Sequence, residues 1–305
     1  MISIVGPTGI GKSNLAVHLS QKIEGEIINA DSRQIYIGMD IGTAKPRPQE
    51  ISLVKHHLFS IIKPDEDFSV YDFSKMAEPL VSGINLKGSV PILVGGTGQY
   101  VWSFLENWEL LNGTTDFSVR ESLEKRLEEE GFQSLLDELL AKDPSVLLNI
   151  DINNPRRVIR ALEKINLGYK GYTPRVKDAS LRDECLLIGL TSNREDLYIR
   201  VDERVNKMFE EGWVEEVQTL QNNGYHKDLS SMSGIGYQEI SLLLEPSSNM
   251  SVEECKLAIC SRTHKLIRSQ YNWFKLKDSR IKWFDIGVLS EEYIVDEIIS
   301  LYNQI

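Results

Sequence analysis

An α/β fold built on a parallel sheet is predicted by three observations. Gly6-Pro7-Thr8-Gly9-Ile10-Gly11-Lys12-Ser13 fits the phosphate-loop pattern G-x-x-x-x-G-K-[ST] with no mismatch, between a short apolar run and a helical stretch. Further short apolar runs recur along the chain, two of them leading straight into polar or glycine-rich turns. From Gly113 to about residue 180 the character changes to charged and helical. Together these give a P-loop NTPase-like parallel sheet core with an inserted helical domain. Residues 1–112 form the first part of the core, 113–180 the insertion and 181–305 the second part.

The first element is the strand Ile2–Val5. In the loop that follows, glycines let successive N–H groups curl towards phosphate oxygens. Lys12 supplies a cation to the terminal phosphate, and the Ser13 hydroxyl is placed to ligate Mg²⁺. A helix over Asn14–Ile23, with Leu15, Leu19 and Ile23 on one face, puts its positive end on the same anion. Gly25 is the expected stop. The chain therefore binds a polyphosphate or diphosphate.

A second strand, Glu26–Asn29, runs into Asp31-Ser32-Arg33-Gln34. Ligands of open α/β sheets lie beyond the carboxyl ends of the strands, so Asp31 faces the same crevice as the phosphate loop. A carboxylate there can act as a general base; the other reading is a turn or capping aspartate. Gly38–Pro46 is a polar, glycine-rich loop. His56 and His57 point different ways on any regular element, which argues against a metal site. Asp65-Glu66-Asp67 reads as a solvated turn, and Tyr71–Ile84 as a helix closed by Gly88. The strand Val90–Val94 leads into Gly95-Gly96-Thr97-Gly98, whose glycines permit close ligand approach. Thr97 can set a hydroxyl on the reacting centre, unless the turn needs glycine for geometry alone.

Arg120–Leu140 is a charged helical stretch. Asn153-Asn154-Pro155 caps another helix, and Arg156, Arg157 and Arg160 crowd its N-terminal half, where the helix dipole disfavours cations. An anion-binding surface explains them better than a solvated face. Cys185–Leu190 returns to the sheet, Leu197–Leu220 is helical with Arg200 and Arg204, and Gly234–Tyr237 is a loop. Lys256–Lys277 then holds six Lys/Arg with no acid, in a chain of net charge −11. Leu257, Cys260, Ile267, Tyr271 and Phe274 form its expected apolar stripe, with Arg262, Lys265, Arg268 and Lys275 opposite. So local a sign reversal reads as a polyanion footprint, with Tyr271 and Trp273 available for stacking; the other reading is an amphipathic surface helix. A strand at Ile281–Ile286 and a helix at Glu291–Tyr302 close the chain.

Composition agrees with a globular protein: 305 residues, 41% hydrophobic and 26% charged. Cys185, Cys255 and Cys260 form no C-x-x-C pair and are expected to be reduced and buried. A strand beginning at Ile2 leaves no room for a signal peptide, and no apolar run nears the ~18 residues of a membrane helix. A cytoplasmic protein without membrane contact is expected.

These segments together resemble the tRNA dimethylallyltransferase (tRNA isopentenyltransferase) family. The resemblance covers nearly the whole chain. It rests on Gly6–Ser13, Asp31–Tyr36, Gly38–Pro46, Leu93–Tyr100, Arg157–Glu163, Ile235–Glu239 and Gln270–Phe274, and Gly38–Pro46 is the most specific of them. It implies transfer of a dimethylallyl group from dimethylallyl diphosphate to the exocyclic amine of the adenosine 3′ of a tRNA anticodon, with Mg²⁺, by a helical insertion gripping the anticodon stem-loop. By position it makes Asp31 the base and sets Thr97 beside the reacting groups. Its implied tRNA contacts are Asp31, Ser32, Arg33 and Gln34; Arg120; Arg156, Arg157, Val158, Ile159 and Arg160; and Arg268, Ser269, Gln270, Tyr271, Asn272, Trp273, Phe274 and Lys275. A monomer is expected. Relatives tend to carry a cation at the position of Ser269 and a basic residue at that of Gln238.

Two other classes fit parts of the pattern. A small-molecule kinase, with Asp31 as base and Arg156, Arg157 and Arg160 as lid residues over ATP, explains the phosphate loop but not the acid-free stretch 256–277. A non-catalytic RNA-binding protein has no need of Lys12 and Asp31 facing one crevice.

Overall fold

The computed structural model describes residues 1–108, 117–168 and 180–305. The chain divides into two compact units, residues 1–109 with 180–305 and residues 110–179. The change of character read at Gly113 lies outside the described residues. The first unit opens with β1 (Ile2–Val5), α1 (Lys12–Ile23), β2 (Gly25–Asn29), α2 (Pro48–Leu53), β3 (His56–His57), α3 (Val70–Leu86), β4 (Val90–Val94) and α4 (Gly98–Leu105). The second holds α5 (Phe117–Glu130), α6 (Phe132–Lys142), α7 (Val146–Asn149) and α8 (Pro155–Asn166). The first resumes with β5 (Leu186–Thr191), α9 (Arg194–Glu210), α10 (Trp213–Asn222), α11 (Tyr237–Leu243), α12 (Val252–Trp273), β6 (Lys282–Asp285) and α13 (Glu291–Tyr302).

The strands form one parallel sheet in the order β3-β2-β4-β1-β5-β6. Both faces are covered, which is why the inner strands are buried along almost their whole length rather than on alternate residues. Ile2, Ile4, Ile27 and Ile92 pack with Leu15 and Leu19 of α1 and Ile298 of α13. Val5, Ile28 and Leu93 face the other way, onto Phe73 of α3 and Phe104 of α4. A third apolar cluster joins Ile35, Tyr36 and Met39 to α9, α10, α11 and α12 around Trp213 and Tyr237. The second unit has its own core, in which Leu123, Leu135, Leu139, Val158, Ile159 and Leu162 meet. Asn154 caps α8 as read, its side chain accepting the Arg156 N–H at 3.1 Å, with Pro155 at the first helical position.

Several boundaries differ from the sequence reading. α1 ends at Ile23 and is capped by Glu24, which takes φ 51° itself, while Gly25 opens β2, where a Cβ would come within 2.7 Å of Ile92. The stretch 120–140 breaks at Gly131 and the stretch 197–220 at Gly212, both left-handed glycines with φ 83° and 98°. The two-residue strand β3 is too short for any periodicity to announce. Tyr237 begins a helix rather than sitting in a loop. α12 starts four residues before Lys256, at a capping box between Ser251 and Glu254. Of the expected apolar stripe Ile267 and Phe274 are buried and Cys260 and Tyr271 half-buried, but Leu257 is 69% exposed, and Cys255, Ile259 and Gln270 complete the inward face. Cys255 is buried; Cys185 and Cys260 are half-buried, and all three are free thiols. Burial pushes the Cys260 thiol up to about 12, helped by Asp202. Among the described residues no helix is long and apolar enough to cross a membrane.

Candidate active site

Sheet register sets the site. Ile4 pairs with Val94, and Val94 pairs with Asn29, so the loops after β1, β4 and β2 leave the sheet side by side at its carboxyl edge. Gly95 N–H donates to Ile4 O at 3.2 Å and Ala30 N–H to Val94 O at 2.7 Å. A Cβ on Gly95 would lie 2.2 Å from Ala30 O, and one on Gly98 would lie 2.2 Å from the Trp273 ring. The glycines after β4 therefore admit other parts of the protein, where the sequence reading had them admit ligand.

The phosphate loop curls as its pattern requires, with Gly9 and Gly11 at φ 76° and 97°. Lys12 folds over it, Nζ donating to Gly6 O at 3.0 Å and Pro7 O at 2.8 Å. Burial lowers the Lys12 pKa to about 8; Asp31 opposes that shift and Arg204 adds to it. α1 has neither a side-chain cap nor an acidic residue in its first turn, so its N-terminal N–H groups and partial positive charge stay available to an anion.

Arg204 is the site residue that sequence reasoning noted without using. Burial holds its pKa below the usual guanidinium range, with Asp31 again opposing. Leu197, Val201, Val205 and Met208 form the buried face of α9. Arg204 lies beside that face by helical spacing, whereas Arg200 is exposed. A charge sharing the apolar stripe of a helix was the signal available.

Asp31 sits in a turn held by Asn29, whose Oδ1 accepts the Asp31 N–H at 2.8 Å and whose Nδ2 donates to Asp31 O and Leu58 O. Asp31 Oδ1 accepts the Arg33 N–H at 2.9 Å. Thr97 Oγ1 accepts the Ser32 N–H at 3.0 Å and lies 3.3 Å from Ser32 Oγ, which ties the loops after β2 and β4 together. The next two side chains brace neighbouring loops. Arg33 donates to Ser230 O, Ser231 O and Ser233 Oγ, and Gln34 to Thr43 O and Ala44 O.

Two cavities open around these groups. One of about 440 Å³ is lined by Asp31, Arg33, Thr97, Trp213, Tyr237 and the near face of α12. The other, about 700 Å³, runs along the phosphate loop past Lys12 and Ser13 to Lys45 and His56. Thr8, Asp31, Thr43, Arg204 and Met208 line both. A carboxylate thus stands where the space along the phosphate loop meets a second space lined by aromatics and apolar side chains.

Thr263, Leu266, Ser269, Gln270 and Trp273 of α12 line the smaller cavity. Lys265, Arg268, Asn272 and Lys275 are exposed, Arg268 donating to the Tyr198 hydroxyl at 2.9 Å. Phe274 is buried, and the Tyr271 hydroxyl meets Thr191 Oγ1 at 3.0 Å. Arg262 is not free for a polyanion, because it pairs with the buried Glu239 and donates to Gln238 Oε1 at 2.7 Å. That internal partner corrects the grouping of Arg262 with the surface cations.

In the second unit Arg156 and Arg157 are exposed, as is Arg160, which pairs with the buried Glu163 at 2.6 Å. Val158 and Ile159 point into that unit's core. Arg120 is exposed and paired with Glu124 at 3.1 Å. Among the described residues no three His, Cys, Asp or Glu groups are placed to hold a metal ion.

Comparison with known proteins gives the same answer throughout. The family model described as IPP transferase matches residues 34–277, and the one described as Isopentenyl transferase matches residues 1–59. A tRNA dimethylallyltransferase of Carboxydothermus hydrogenoformans is 41% identical, over 98% of this chain and 96% of its own length. One from Geobacter sulfurreducens is 39% identical, over 93% and 91%. The crystal structure of a tRNA isopentenylpyrophosphate transferase from Bacillus halodurans superposes with a TM-score of 0.72 at 37% identity, covering 99% of this chain and 96% of that one. With its phosphate loop, its strand-end aspartate and this likeness over nearly its full length, the chain belongs to the IPP transferase family.

Proposed function

We propose that the protein transfers the dimethylallyl group of dimethylallyl diphosphate to the exocyclic N6 amine of the adenosine 3′ of a tRNA anticodon, releasing diphosphate. The single observation that carries this reading is Asp31 at the junction of two cavities, one along the phosphate loop and one beside α12. The diphosphate fits the N-terminal end of α1 and Lys12. The adenine, drawn out of its stack, fits the aromatic-lined side. Nitrogen forms a bond to C1 of the dimethylallyl group as the C1–O bond breaks, and the electron pair leaves with the diphosphate. The amine is a poor nucleophile because its lone pair is delocalised, so Asp31 accepts the proton it loses. Lys12, Arg204 and the loop N–H groups stabilise the charge growing on the leaving group.

Ser13 is exposed at the start of α1, and a hydroxyl together with diphosphate oxygens is a fitting donor set for Mg²⁺, which takes few protein ligands in phosphate sites. Bound there, it would neutralise diphosphate charge. In the first unit the exposed Lys265, Arg268 and Lys275 suit the phosphates of the anticodon stem-loop, and so, taken by themselves, do the exposed Arg156 and Arg157 of the second. The same proposal takes the protein to act as a monomer in the cytoplasm. The kinase alternative is not favoured, because the relatives are named as tRNA dimethylallyltransferases. The test is the mass of an unmodified tRNA after incubation with dimethylallyl diphosphate, run beside phosphate release from ATP. A gain of one dimethylallyl group without ATP turnover is expected. ATP turnover with unchanged tRNA would overturn the reading.

A further inference from the structure

The geometry points to Gln270 as a positioning residue that sets the spacing between the phosphate loop and the loop carrying Thr97, rather than as a side chain reserved for RNA. Its Oε1 accepts the Thr8 N–H at 2.8 Å, and its Nε2 donates to Gly96 O at 3.1 Å. The side chain is 6% exposed, its bond to Gly96 O buried and its bond from Thr8 N–H partly so. Thr8 belongs to the loop that receives the diphosphate. Gly96 precedes Thr97, which is bonded to Ser32 beside Asp31. One planar amide therefore fixes the distance between the groups that bind the leaving group and the groups that meet the amine.

The chemistry at this position is narrow. One end must accept a hydrogen bond and the other must donate one, which among side chains of this length an amide does at every pH. Gly96 makes room for it, since a Cβ there would lie 2.3 Å from Nε2. The backbone end of α12 is anchored independently, as Trp102 Nε1 donates to Trp273 O at 2.9 Å and Phe274 is buried. The helix can thus keep its place when the amide is changed. This inference rests on the transferase reading of the site for what the spacing is used for.

The test compares wild type with Q270E, Q270M and G96A. Binding of inorganic diphosphate is measured by calorimetry, tRNA binding by filter retention, and prenyl transfer in single turnover. Near pH 8, Q270E should weaken diphosphate binding and slow transfer by roughly 10–100-fold, the worth of one lost hydrogen bond whose place is taken by two facing acceptors, while the Thr8 N–H keeps its acceptor. tRNA affinity should stay within about threefold. The ratio of Q270E to wild type should recover as pH falls towards about 5, because a protonated glutamic acid again accepts at one oxygen and donates from the other. Q270M should show the loss with no recovery. G96A, which displaces Nε2 from the opposite side, should share the signature with α12 unaltered; it keeps the test open if a Gln270 variant fails to fold. Wild-type diphosphate affinity in Q270E and G96A would overturn the assignment. So would an equal loss of tRNA affinity, which makes Gln270 an RNA contact, or a lowered melting temperature with unchanged kinetics, which makes it a fold brace. A wild type that fails to prenylate tRNA would sink the transferase reading alone, leaving the diphosphate ratios to judge Gln270.

Discussion

Tyr237 donates its hydroxyl to Glu216 across 2.6 Å, and the same carboxylate receives the main-chain N–H groups of Asp40, Ile41 and Gly42 at 2.8, 2.7 and 3.2 Å. Four donors converge on one side chain of α10, and between them they hold the loop that lines both cavities. Burial and the neighbouring carboxylate push the Tyr237 hydroxyl well above its ordinary pKa, so the donor survives across the working pH range. Y237F removes one of four donors to a charged carboxylate and should cost about 1.5 kcal/mol, the lower end for such bonds. E216Q sets an amide N–H₂ against N–H groups and should cost about 1.5–3 kcal/mol, the range for bonds to a charged group. Thermal melts order the two. E216Q should also raise the KM for tRNA more than Y237F does, and an E216Q protein with wild-type melting and KM would show that the loop is held by other contacts.

Asp31 has two possible duties, and its geometry shows how to separate them. Oδ1 accepts the Arg33 N–H, which shapes the turn, while the carboxylate faces both cavities. D31N keeps an oxygen for that N–H but cannot take up a proton at neutral pH. Single-turnover transfer should therefore fall by roughly 10²–10⁴-fold in both D31N and D31A, the usual worth of a positioned general base. Melting should fall only in D31A. Normal transfer by D31N would reduce Asp31 to a turn residue.

The legible part of this site was the part written in short-range pattern. Gly6–Ser13 announces itself because a phosphate loop needs fixed glycines, a lysine and a hydroxyl at set spacings, and Asp31 follows from where β2 ends. Three features went unread, two of which depend on contacts between residues far apart in the chain. Arg204 looks like any surface arginine until α9 is turned so that Val201 and Met208 face inwards. Arg262 reads as a surface cation, and only the packing of α11 against α12 supplies Glu239. Gln270 lies 262 residues from Thr8, so no local pattern could have joined them. Leu257 was the misplaced member of the α12 stripe: Cys255, two residues earlier and about 200° round the helix, is the buried one.

Lys12 offers a prediction in pH. Its ammonium has a pKa of about 8 in the folded protein, and a diphosphate anion beside it would hold the proton on. Above that pH, binding of inorganic diphosphate should take up a proton, seen as a dependence of the calorimetric heat on the ionisation enthalpy of the buffer. K12M should lose that linked uptake. The sign for stability follows from the same shift. Between about 8 and the ordinary lysine value the folded protein has given up a proton that the unfolded chain still holds. The contribution of this group to stability therefore rises with pH across that window. Proton uptake unchanged in K12M would move the linkage to another group.

The cations of α12 should divide into one that serves the fold and others that serve RNA. Arg262 neutralises Glu239, which is only 7% exposed in its side chain and also accepts the Gly236 N–H at 2.7 Å. R262Q strands that carboxylate and should lower the melting temperature, by an amount tempered by the partial exposure of the guanidinium. Lys265, Arg268 and Lys275 are exposed, and on α12 and just beyond it they carry positive charge in a protein of net charge −11. Replacing these three by glutamine leaves up to three phosphates of the RNA without a protein cation. Counterion release then makes the slope of log affinity against log salt shallower by roughly 0.7–0.9 for each phosphate no longer neutralised. Transfer at saturating tRNA should change little, because none of the three lines either cavity. R262Q should melt early at wild-type slope, and the triple variant should melt normally at a shallower one. A triple variant with wild-type slope would remove these cations from the tRNA surface, and an R262Q protein with normal melting and a shallower slope would return Arg262 to it.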